Sequence, residues 1–128
     1  MALRKRDVAR IRKFAFAMPG AWEDHPWGES VAKVGKKVFV FFGCRTDVFS
    51  MSVKLPASGR DVLGETFAEP TGYGLGKGGW VTVRFAAADD LPVGPILEWI
   101  EESYRAVAPK KLAEKLGEPT ANTRPVSR

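Results

Sequence analysis

Residues 18–28, Met18-Pro-Gly-Ala-Trp-Glu-Asp-His-Pro-Trp-Gly28, constrain this chain more than any other stretch. They hold its only histidine and two of its four tryptophans. A basic amphipathic segment precedes them, and a run rich in valine and phenylalanine follows. Pro19 cannot continue a helical ladder and disfavours helical geometry in Met18, so a helix must end there. The reading is a non-helical loop running to about Glu29, which carries two large aromatics from a helix to a sheet.

Around that loop the hydrophobic period switches from helical to alternating. Asp7 is placed to cap a helix whose apolar stripe is Val8, Ile11, Ala15 and Met18. Strands are expected at Ser30 to Val34, Lys37 to Phe42 and Val48 to Lys54, the first two joined by a tight turn at Gly35-Lys36. In the third strand Val48, Ser50, Ser52 and Lys54 share one face, and Phe49, Met51, Val53 and Leu55 share the other. Pro56 to Phe67 reads as a short helix on Val62, Leu63 and Phe67. A glycine-rich stretch, Thr71 to Gly79, leads to a strand from Trp80 to Phe85. Pro95 opens a long helix to about Ala108 with Leu97, Ile100, Tyr104 and Val107 as its core stripe. Lys110 to Leu116 adds a short helix. The order gives an α+β fold: a two-layer domain with a mainly antiparallel sheet and β-hairpin wings, covered on one face by N-terminal and C-terminal helices. Residues 1–117 are read as one domain and 118–128 as a flexible tail.

At 128 residues, 45% hydrophobic and 27% charged, the chain can bury a core without staples. One cysteine, Cys44, cannot form an intramolecular disulfide, and no apolar run has signal-peptide or membrane-span length. The expectation is a cytoplasmic protein. Its net charge of +5 is segregated: six basic residues and one acid lie at or before Lys13, while residues 55–102 hold three basic residues and eight acids. Segregated positive charge suits a polyanionic partner.

Six pieces occur in a set order: Met18-Pro-Gly20, His25-Pro-Trp-Gly28, Gly35-Lys-Lys-Val-Phe39, Val53-Lys54, Trp80-Val81 and Ser103-Tyr104. In these the chain resembles the MmcQ/YjbR family of small bacterial proteins, over about Val8 to Leu116. The resemblance implies a double-wing fold related to the frataxin, CyaY-like, architecture, and DNA binding. The glycine-rich stretch departs from the family's usual loop before the tryptophan. Frataxins bind iron through acids around the first helix; here that helix is basic, which disfavours a cation.

Three function classes follow. Nucleic acid would be held by phosphate contacts from Arg6, Arg10 and Lys13, with Arg4, Lys5 and Arg12 nearby, and from Lys33, Lys36, Lys37 and Arg45 around the hairpin. Alternatively, His25, Trp27, Lys54, Trp80 and Tyr104 line an aromatic cleft for a small anionic or planar ligand or a protein partner. Catalysis finds no support. No elbow motif surrounds Ser103, nothing places Ser103 or Cys44 near His25, and the glycine-rich stretch lacks the Ser or Thr and the helix of a phosphate loop. One histidine and one cysteine exclude a His/Cys metal cluster, and no cofactor is implied. The expectation is a non-enzymatic DNA-binding protein with no metal and no membrane contact.

Overall fold

The computed structural model describes residues 5–26, 29–43, 48–72, 74–86 and 91–116. Trp27, Arg45, Cys44 and the expected tail lie outside them. Along the chain run α1 (Lys5–Phe16), β1 (Ala21–Asp24), β2 (Val31–Val34), β3 (Lys37–Phe42), β4 (Val48–Lys54), α2 (Gly59–Leu63), β5 (Ala68–Pro70), a 3-10 turn (Leu75–Gly78), β6 (Trp80–Ala86), α3 (Val93–Val107) and α4 (Lys110–Glu114). The strands form a six-stranded antiparallel sheet in the order β1-β2-β3-β4-β6-β5.

Alternation decides which face of the sheet is covered. Phe49, Met51 and Val53 of β4 and Val81, Val83 and Phe85 of β6 are buried in one cluster with Ile11 and Ala15 of α1 and Ile96, Ile100 and Tyr104 of α3. The β2–β3 pairing slips between Ala32 and Lys33, so that Ala32 faces Val40 while Lys33 faces Val38. Phe39 is the extra residue, and both it and Val40 are fully buried in the core. The bulge brings the Phe39 ring 5.1 Å from Tyr104, edge to face. At the turn between these strands Gly35 has φ 61°, the left-handed conformation a two-residue hairpin needs.

Several expectations are corrected. The connection after Pro19 is not loop throughout: Ala21–Asp24 is an edge strand, Ala21 opposite Val34 and Asp24 opposite Val31. Gly20, at φ 74°, makes the reversal into it, closed by the Ala21 N–H donating to the Met18 carbonyl (2.9 Å). Asp7 lies in the first turn of α1 rather than capping it. The expected helix from Pro56 to Phe67 is one short turn followed by β5. On α3 the buried stripe is Ile96, Ile100, Ser103 and Tyr104, with Leu97 and Val107 at its flanks.

Candidate functional site

The acids of this protein divide its cations into two sets. Arg12 of α1 donates to Glu23 of β1 (2.7 Å) and to the Ser30 hydroxyl (3.1 Å), and its guanidinium lies against Phe16 and Phe42. Lys33 of β2 donates to Asp24 on the neighbouring strand (2.7 Å). Arg84 of β6 pairs with Glu69 of β5, and Arg105 of α3 with the buried Glu101 (3.0 Å). Each of these pairs joins one element to the next or one helical turn to another. Arg12 and Lys33 are thus structural clips, and Lys33 does not belong with the cations left over for a ligand.

The second set is exposed. Arg6, Arg10 and Lys13 follow at spacings of four and three, which lines them up on the side of α1 opposite Ile11 and Ala15. Lys36 and Lys37 stand at the hairpin tip. None of these five pairs with an acid among the described residues. The hairpin end is basic on its other side as well. Leu112 of α4 packs beside Gly20 and Val34, which brings the exposed Lys110, Lys111 and Lys115 to the same end of the sheet.

Trp22 belongs to this end too, a residue to which the sequence pattern assigns no role. Its indole N–H donates to the Gly35 carbonyl (3.0 Å), pinning the ring against the hairpin turn, yet the residue remains 45% exposed. The Lys33 ammonium lies 5.3 Å from its ring centre. Trp22 was hidden because its strand was: in a presumed loop, an aromatic has no face to be assigned to.

The four described residues of the expected aromatic cleft do not come together. Tyr104 is fully buried under the helices, its hydroxyl donating to the Pro19 carbonyl. Lys54 and Trp80 are paired across β4 and β6 on the opposite, helix-free face. His25 follows the far end of β1, exposed, and Trp27 lies outside the described residues. Burial in the core pushes the Tyr104 phenol above its ordinary range.

Around His25 there is a small polar network. Glu23 Oε2 accepts from Ser30 (2.6 Å) and Arg12 and faces His25 Nε2 at 3.1 Å. The Ser30 hydroxyl bond, then Arg12, hold the Glu23 carboxyl below its ordinary range; Lys33 and the His25 N–H do the same for Asp24. Carboxylate, imidazole and hydroxyl meet here in the wrong order for nucleophilic catalysis, because Ser30 donates to Glu23 rather than to the histidine. Ser103 is locked in the core, accepting from the Lys54 N–H (2.8 Å) and donating to the Phe39 carbonyl (2.6 Å). A depression of about 370 Å³ between α3 and the turn before α2 is lined by Glu98, Glu101 and Glu102, a poor match for an anion. Among the described residues no group of His, Cys, Asp and Glu could hold a metal ion, and no helix is long and apolar enough to cross a membrane.

Known proteins place this architecture. No protein with a curated description matches the chain. The crystal structure of Deinococcus radiodurans protein DR2400, which carries the DUF419 domain, superposes with a TM-score of 0.65 at 24% identity, covering 93% of this chain and 91% of that one. That likeness is one of fold. The sequence model described as YjbR matches residues 16–106, from the end of α1 through most of α3, and the chain therefore belongs to the YjbR family.

Proposed function

We propose that this protein binds DNA as a non-enzymatic partner, contacting phosphates through Arg6, Arg10 and Lys13 of α1 and through Lys36 and Lys37 of the hairpin. The observation that carries the reading is the sorting of the cations. Wherever an arginine or lysine is needed to join elements an acid is supplied, whereas these five are exposed and have no acidic partner among the described residues. Unpaired ammonium and guanidinium groups on convex elements attract a phosphate backbone by releasing its condensed counterions, without needing a pocket.

The test reverses the hairpin charges. Lys36→Glu together with Lys37→Glu should weaken duplex binding about tenfold or more and make the slope of log affinity against log salt shallower by about 2. Both side chains are exposed, so stability should stay within about 0.5 kcal/mol of the parent. Unchanged affinity in the reversed variant would count against the hairpin contact.

A further inference from the structure

Among the described residues the helices pack on one face of the sheet, and the other face carries none of them. What the register places on that helix-free face is ordered. Near the hairpin end, β1 contributes Trp22, β2 Lys33, β3 Val38, β4 Lys54 and β6 Trp80. The next row contains Asp24, Val31, Phe41, Ser52 and Thr82, of which Val31 (1% exposed) and Thr82 (9%) are covered, and there the Phe41 ring meets Trp80 at 5.3 Å, edge to face. Ser52, Thr82 and Thr71 are joined through their hydroxyls (2.6 and 2.9 Å).

We infer that the Trp22 to Trp80 row of this helix-free face binds a short length of single-stranded nucleic acid, with unpaired bases stacking on Trp22 and Trp80 and the backbone drawn to Lys54 between them. Four strand spacings, about 19 Å, separate β1 and β6, the strands that carry the two indoles. That is room for a few nucleotides, laid across the strands. Lys54 is half-buried and has no acidic partner among the described residues, so its charge is available where a backbone would cross. Lys36 and Lys37 continue the positive charge at the turn that Trp22 touches. An apolar protein partner suits the face less well, because hydroxyls and charged side chains interrupt the rings. Stacking also explains what a duplex could not use: paired bases present edges, not faces, to a sheet. This inference rests on the proposed nucleic-acid binding and adds strandedness to it.

The experiment compares a fluorescein-labelled thymidine oligomer with a duplex of equal length, for the parent protein and for Trp22→Ala, Trp22→Phe and Lys54→Gln, each checked for an unchanged melting temperature. The inference expects tighter binding of the single strand, its loss by about tenfold or more in Trp22→Ala, partial recovery in Trp22→Phe and weakening in Lys54→Gln, with duplex affinity little changed. Equal affinity for both strands with no effect of Trp22→Ala or Lys54→Gln overturns the inference and leaves duplex binding standing. Displacement by polyglutamate as effective as by the oligomer overturns it as well, since charge alone would then suffice. Binding of neither nucleic acid overturns both readings.

Discussion

Ser103 shows how one hydroxyl can hold two layers together. Fully buried on α3, it accepts from the Lys54 N–H and donates to the Phe39 carbonyl, satisfying one backbone group on each of two strands. Ser103→Ala should therefore cost about 1–3 kcal/mol in urea unfolding, because both backbone groups lose a partner where water cannot replace it. Glu23 and Asp24 act at the rim, where their partners lower both carboxyl pKa values. A lowered acid contributes stability that is full above the ordinary carboxylate range and lost as pH falls through the lowered value. Glu98 runs the other way: burial, then Glu101, raise its pKa, so stability is lost as pH climbs from the ordinary to the raised value. Glu23→Gln should lower stability at neutral pH and flatten the acid limb of urea midpoints followed down through the carboxylate range. An acid limb as steep as the parent's would remove Glu23 from the account.

Among the elements, α1 has two charged sides with different duties. Arg12 clips it to β1, while Arg6, Arg10 and Lys13 face away from the core. Arg12→Ala should cost about 1 kcal/mol, discounted for partial exposure, and leave DNA affinity nearly unchanged. Arg10→Ala should do the reverse, as melting and binding measured side by side would show. What was legible in the sequence followed from periodicity. The alternation in β4 is strict because one face is core and the other is not, and the burial pattern follows it residue by residue. Two strands were not legible. Ala21–Asp24 has only four residues, ends in two acids and gains its pairing from β2, while Ala68–Pro70 has three and ends in proline. On α3, Ser103 broke the apolar pattern because its burial depends on backbone partners on β3 and β4, and Glu101 broke it because Arg105, one turn along, meets its charge. Glu102 likewise serves a distant turn, accepting from the N–H groups of Ala57 and Ser58 and from the Ser58 hydroxyl.

For the molecule as a whole, one-sided packing leaves one sheet face without helices and a basic end exposed at the same time. The matched family residues include the hairpin, Trp22, Lys54 and Trp80 but begin after Lys13, so the stripe on α1 lies before the matched stretch and the hairpin within it. Of the candidate site, the cations could be read from charge counts, but their sorting could not, since it depends on which acids the fold brings alongside. Tyr104 and Trp80 looked alike in sequence and ended on opposite faces. The central claim is that unpaired surface cations bind a phosphate backbone, and the salt dependence of duplex DNA binding by the full chain tests it most directly. Binding at low salt is expected, with log affinity falling linearly and steeply against log salt concentration. Affinity independent of salt, or no binding at low salt to any of several duplexes, would contradict it.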